Sequence, residues 1–406
     1  MTFSVRNVCA ALLMMLGLTV LVARPAPASA QTACSAGNAF TLDWDDHPGG
    51  VSSGDTFTVT NGAGDDVTVT VNFSGAVGSL TNGTPTVNTA NSGGLGGSPN
   101  GLYLYADFGA RSINIENDAN AVGITFSFSE AVRDVNLSVF DIDFFGNQFR
   151  DWVKVEGQRS GASVAPTLTT PYNGAGTGGT AIAPSTIILG QTTFPASFAI
   201  FGFTIPYNVT VNAGEALGTS GNSTGTEDLG NLDAVIEAPI DTVRLRYANA
   251  GDPNSEAAGV QAITIHDLSF CTLPDINVAK SVAPHVPTGA GSFAVPGNDM
   301  VYTLSVSNTG GSRTDPDSIV LTDLLPSDIA IFTGDFDGSG NPLAFSDSGS
   351  GVTCCSSLEY GTGNPVVWGA AADETYDDDI TAIRVTPGGT MAEQSSFTIS
   401  FRVQVN

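Results

Sequence analysis

No segment of this chain sustains a 3.6-residue period, while short runs of strict alternation recur along nearly its whole length. The last ten residues but one, SFTISFRVQV, show it most cleanly. Phe397, Ile399, Phe401, Val403 and Val405 fall on one face of an extended chain, and Thr398, Ser400, Arg402 and Gln404 on the other. Residues 301–310, VYTLSVSNTG, alternate the same way, with Tyr302, Leu304 and Val306 inward. Residues 124–128 repeat the pattern with Ile124, Phe126 and Phe128. Alternation of this kind marks strands that bury one face and wet the other. The 48 glycines and 21 prolines supply the turns between them. The fold class read from the sequence is therefore all-β.

Residues 57–60, 67–73, 124–128, 132–143, 152–155, 209–211, 243–247 and 260–270 are the best strands of the first part. Loops near 82–101, 173–183 and 214–226 are rich in Gly, Ser, Thr and Asn, and read as mobile rims or binding loops. Residues 272–300 change character. Pro274, Pro284, Pro287 and Pro296 accumulate there, as in a linker leading into the first strand of a second domain. The organisation expected is a signal peptide at 1–30, a sandwich at 31–273 and a second sandwich at 274–406.

The signal reading rests on Arg6, an apolar run over 10–23 and the small-residue motif Ala28-Ser29-Ala30. It places the protein outside the cell, secreted or at the cell surface, without membrane insertion after cleavage. An exported chain suits disulfides. Of the five cysteines, Cys9 leaves with the signal. Cys34 and Cys271 flank the first large segment, so a bond between them would staple its ends. Cys354 and Cys355 are adjacent, and pairing with each other, between molecules or not at all stays open. The formal charge of −27 repels nucleic acid and anionic lipid, so neither is an expected partner.

The pieces INVAKSVAP, VPGNDMVYTLSVSNTGG, DSIVLTDLLP and ITAIRVTPGGTM, followed by the last strand, resemble the bacterial conserved-repeat domain. The resemblance covers about 276–406. It implies an immunoglobulin-like sandwich found in surface and secreted proteins, and it carries no active site. Only one copy is present here. The pieces SVFDIDFFGNQFRDWVKVEG and GVQAITIHDLSF in the first part resemble jelly-roll-like sandwiches of bacterial exported proteins.

Chemistry-bearing residues are sparse. No zinc-type His or Cys spacing, nucleophile elbow or phosphate loop is present. The acids stand out. Asp141 and Asp143 share one face of a strand if the strand runs through both, and Asp151 returns from the following loop. Two carboxylates this close need a counter-charge. Calcium with oxygen ligands fits, with Asp267 as a fourth ligand and a structural role. The alternatives are plain solvation or pairing with Arg133 and Arg150. A second candidate is GDFDGSGNP, where Asp335, Asp337 and Ser339 match the first half of a calcium loop. Its expected twelfth-position Glu is Ser346. Trp44, Trp152 and Trp368 read as core more readily than as sugar-stacking rings.

Together these features predict a non-catalytic structural or adhesive protein, calcium-stabilised, that meets cell-surface or matrix glycans or other surface proteins. The alternatives are a carbohydrate-binding module using the polar loops of the first domain, and a glycoside hydrolase using the Asp141, Asp143 and Asp151 carboxylates.

Overall fold

The computed structural model describes residues 34–406 apart from 96–98, 110, 113, 118, 146–147, 171–186, 190–191, 201–202, 219–224, 251–259, 286–293 and 373–374. Of residues 187–188, 192–200 and 203–210 it describes the backbone. The expected signal peptide and the loop at 173–183 lie outside the described residues. Among the described residues all the regular structure is strand, apart from two single 3-10 turns at Trp44–Asp46 and Val77–Ser79. No helix among the described residues is long and apolar enough to cross a membrane.

The organising element is the strand Ala121–Phe140, 20 residues long. Its first half pairs with Asp66–Gly75 and Ile240–Asn249. Its second half pairs with Leu232–Ile236 and Val260–Thr272. Between the halves, the exposed Ser129 and Glu130 have no ladder partner, so the strand changes neighbours there. The sequence reading split this element into two strands and carried the second to residue 143. The backbone runs on through Glu130 as one strand, and the inward set changes from Ile124, Phe126 and Val132 to Val135, Leu137 and Val139 at Asp134, whose φ is +50°.

The two sets of strands enclose one core. Val69, Val71, Ile124 and Phe126 come from the first set, and Leu102, Leu104, Val139 and Ile263 from the second. Each such side chain contributes about 1.5–3 kcal/mol on burial. Phe40 stacks on Phe270 with ring centroids 5.3 Å apart, tying the chain's first described strand, Phe40–Leu42, to Val260–Thr272. Beside this pair, Cys34 and Cys271 form a buried disulfide with their Cα atoms 6.0 Å apart.

A second core gathers Val306, Ile331, Val385, Phe397, Ile399 and Phe401 from residues beyond 299. Its strands form a six-stranded and a four-stranded sheet. Asp299–Asn308 and Ser395–Val405 pair in the register that alternation predicts, Leu304 opposite Ile399 and Val306 opposite Phe397. The proline-rich stretch expected as a linker holds a strand, Ile276–Pro284, which pairs along its whole length with Asp299–Asn308. Most of its side chains stay exposed, so it lacks the buried period that marks a strand in sequence. The first sandwich meets the second part through Arg133, which bridges Asp134 and Asp315 at 2.9 Å each. That assignment removes Arg133 from the acids at 141–151.

The disulfide closes a separation of 237 residues. On the chain-entropy model such a closure contributes about 5 kcal/mol. Mass mapping of the unreduced protein should recover Cys34 linked to Cys271. The Cys34→Ala/Cys271→Ala variant should melt lower by on the order of 10 °C; an unchanged melt would remove the staple from the account of stability.

Candidate functional site

The strand Gly101–Asp107 reads GLYLYAD. Leu102, Leu104 and Ala106 are fully buried in the first core. Alternation therefore turns Tyr103 and Tyr105 to the opposite, half-buried face, with ring centroids 6.2 Å apart. Cross-strand partners share a face. Tyr103 lies opposite Thr86 on one side and Thr264 on the other, and Thr264 lies opposite Phe140. Two residues beyond Thr264, His266 packs on Phe140 at 5.1 Å. One row of the sheet thus sets two partly exposed tyrosines beside a histidine, two threonines and a phenylalanine, of which Thr264 and Phe140 are buried.

Loops close over the end of this row. The chain leaves the strand Ala121–Phe140 at Asp141, whose φ of +69° is a left-handed conformation that asparagine and aspartate tolerate better than most residues. Asn91 donates from Nδ2 to Asp141 Oδ2 at 2.9 Å. Ile142 N–H donates to Gly230 O at 3.0 Å, and Asn231 Nδ2 to Gly93 O at 2.8 Å. Gly93 lies flat against the Phe140 ring, where a Cβ would come within 2.6 Å of ring carbon. The segments around 91, 141 and 230 are laced into one unit on the tyrosine-bearing side.

The sequence reading put Asp141 and Asp143 on one strand face. The left-handed turn at Asp141 breaks that alternation and parts their partners. Asp141 turns to Asn91, while the peptide of Asp143 joins Asp151: Asp143 N–H donates to Asp151 Oδ2 at 3.1 Å, and Asp151 N–H donates to Asp143 O at 3.0 Å. Separation relieves the repulsion that two adjacent buried carboxylates would suffer. Arg150 donates to Gly218 O at 2.5 Å and lies 3.9 Å over the Phe144 ring.

Asp151 is wholly buried. Its Oδ1 accepts from the Tyr247 hydroxyl at 3.0 Å and from Gln261 Nε2 at 2.9 Å. Burial, then the charge of Asp143, pushes its carboxyl well above the usual range. Asp267 keeps other company: its Oδ1 accepts from Trp44 N–H at 3.0 Å, and burial pushes its carboxyl up. In the turn beyond Phe332, Asp335 accepts from Gly338 N–H at 2.8 Å and Asp337 from Ser339 N–H at 2.9 Å, so each acid caps its own turn. Among the described residues, no three His, Cys, Asp or Glu side chains are grouped as a metal ion requires.

Asp141 is the acid that remains unspent. Its Oδ1 is sealed from solvent and has no hydrogen-bond partner. Burial pushes its carboxyl up to about 7, against the lowering effect of Asn91 and with a smaller push from Glu227. Its field reaches Tyr103: burial first, then Tyr105 and Asp141, push the Tyr103 hydroxyl up to about 12. A strained, partly protonated acid beside partly exposed aromatics marks a candidate site. A glycosidase pair needs two carboxyls facing each other across a substrate. Asp151, sealed and saturated with donors, does not offer one.

Sequence reasoning named Asp141 and missed Tyr103, Tyr105, His266 and Asn91. The Tyr-Leu-Tyr alternation at 103–105 was the available signal. Two of the tryptophans are core: Trp44 is fully buried against Phe57, and Trp152 is buried with its Nε1 donating to Glu215 at 3.2 Å, whereas Trp368 is half-buried with the Arg384 guanidinium 4.4 Å over its ring.

No family model matches the sequence, that of the conserved-repeat domain included, and no curated protein matches it. Solved structures align with it over long spans. Discoidin II of Dictyostelium discoideum aligns at 8% identity over 83% of this chain and 96% of its own, with a TM-score of 0.23. A fucolectin from striped bass (Morone saxatilis) serum aligns at 6% identity over 83% and 96%, with a TM-score of 0.22. The CBM32-1 and CBM32-2 domains of Clostridium perfringens ZmpB, solved with GalNAc, align at 7% identity over 91% and 94%, with a TM-score of 0.19. Overlaps this low leave fold and function to be argued from the chain itself.

Asp141 holds its proton more tightly folded than unfolded, so the folded state binds more protons between about pH 4 and 7. Stability should fall as pH rises through that window, by on the order of 5 °C in melting temperature. Asp141→Asn keeps the shape, suits the left-handed backbone and should flatten the slope; an equally steep slope in the variant would assign the pH dependence elsewhere. Melts in millimolar calcium and in chelator should coincide, because among the described residues no three acid side chains are grouped as a cation requires. An upward shift of several degrees with calcium would reveal a cation site.

Proposed function

We propose that this is an exported, non-catalytic binding protein whose first sandwich holds carbohydrate on the outer face of the strand Gly101–Asp107. The single observation behind this reading is the pairing of Tyr103 and Tyr105, half-buried side by side, with the Asp141–Asn91 pair at the end of the same row. A sugar ring has a flat C–H face and a rim of hydroxyls. Tyrosine offers a matching apolar face with a polar tip. The two phenol hydroxyls both donate and accept towards the sugar's hydroxyls, while the Asn91–Asp141 hydrogen bond fixes the loop at the end of the row. The half-exposed tyrosines supply contact area at low side-chain entropy cost.

The strand arrangements fit a jelly-roll-like first sandwich and an immunoglobulin-like second one. The disulfides fit an oxidising compartment. An adhesive role at a cell surface or matrix is the setting in which such binding would act.

A glycan array probed with the full mature chain should show saturable binding to at least one glycan class. Tyr103→Ala/Tyr105→Ala should weaken it roughly tenfold or more, since each stacked ring contributes on the order of 1 kcal/mol. Binding unchanged in that variant, or none anywhere on the array, would retire the site. Turnover of a bound polysaccharide would retire the non-catalytic reading.

A further inference from the structure

The second part of the chain carries a cavity of about 440 Å³ that none of the foregoing uses. It lies where two sheets meet. Leu343 and Phe345 come from the strand Leu343–Asp347 of the six-stranded sheet. Leu358 and the Cys354–Cys355 pair come from Val352–Thr362 of the four-stranded sheet. Asp337, Ser339 and Asn341 complete it from the turn between Phe332 and Leu343.

Both walls are held by the chain. The strand Val352–Thr362 pairs Thr353 with Gly388 and then Ser357 with Thr386. Cys354, Cys355 and Ser356 therefore stand against Pro387 alone. Proline has no N–H for the ladder, so a bulge at this point forfeits little pairing. Inside the bulge the two cysteines are bonded to each other. The resulting ring is compact and its sulfurs are polarisable, with Cys355 packed on the second core and Cys354 exposed. The turn is equally fixed. Phe336 N–H donates to Asn341 O at 2.8 Å, Asn341 Nδ2 donates to Ser339 Oγ at 3.2 Å, and Gly338 and Gly340 each hold a φ of +85° that favours glycine.

We propose that this cavity is a second binding site, for a neutral saccharide of one or two rings. Its volume falls within the range of small-ligand sites, and its lining combines the apolar side chains Leu343, Phe345 and Leu358 with a larger share of polar surface, as a polyhydroxylated ligand requires. The disulfide ring, Phe345 and Leu358 offer surface to the C–H face of a sugar. Asp337 and the Asn341 carboxamide retain capacity for hydroxyls, which both donate and accept. No Lys or Arg lines the cavity and the chain carries −27, which excludes an anionic ligand. Asp337 is exposed and already holds the Ser339 N–H, so its charge is too screened to capture a simple cation. The site is independent of the tyrosine face and stands or falls separately from it.

Saturation-transfer NMR on the full mature chain tests this with lactose, cellobiose and diacetylchitobiose as probes. At least one should show transfer that is lost in Asp337→Ala/Asn341→Ala, whose exposed side chains can be removed without opening a core. The same transfer should be lost in Cys354→Ser/Cys355→Ser and kept in Tyr103→Ala/Tyr105→Ala. No transfer from any probe, or transfer unchanged in Asp337→Ala/Asn341→Ala, would overturn the proposal. So would transfer abolished by the tyrosine changes alone, which would leave that face as the sugar site.

Discussion

The first sandwich depends on one strand serving two sets of neighbours. Because Ala121–Phe140 pairs with Asp66–Gly75 and Ile240–Asn249 along its first half and with Leu232–Ile236 and Val260–Thr272 along its second, both sets register against a common ruler. A one-residue slip anywhere would turn Ile124, Phe126, Leu137 and Val139 outward together. The inward faces are thus fixed jointly, and the outward faces with them. The tyrosine row is a consequence: Tyr103 and Tyr105 are outside because Leu102 and Leu104 are needed inside.

The end of that strand is where polar chemistry enters. A strand that stayed regular beyond Phe140 would have stacked Asp141 over Asp143 on one face. The left-handed residue at 141 separates them instead. Asp143 and Asp151 join their peptides inside, where Asp151 receives Tyr247 and Gln261, while Asp141 faces the loops and keeps one oxygen without a partner. Burial is tolerable for Asp151 because three donors surround it. Asp141 is left with one, which is why its proton is held at neutral pH.

The tyrosine face and the cavity of the second part differ in how they are built. The tyrosine face belongs to a regular sheet and owes its shape to alternation. The pocket at Cys354–Cys355 belongs to an irregularity, a bulge opposite Pro387, and owes its shape to a broken ladder. Both place rigid, weakly polar surface next to side chains with hydrogen-bonding capacity to spare.

Composition and period alone determined that the chain is built of strands, which faces of 301–310 and 396–405 turn inward, and that the acids at 141–151 sit at a strand end. These follow from local spacing, which alternation transmits without knowledge of neighbours. Pairing is a different matter. That the stretch 276–284 is a strand was hidden, because its side chains remain exposed and only hydrogen bonds to Asp299–Asn308 define it. That Asp141 and Asp143 part company was hidden too, since a single left-handed residue leaves no mark in an apolar run. That Thr264 lies opposite Tyr103, with His266 two residues on, depended on register between segments more than 150 residues apart in sequence, and only the assembled sheet supplies that register.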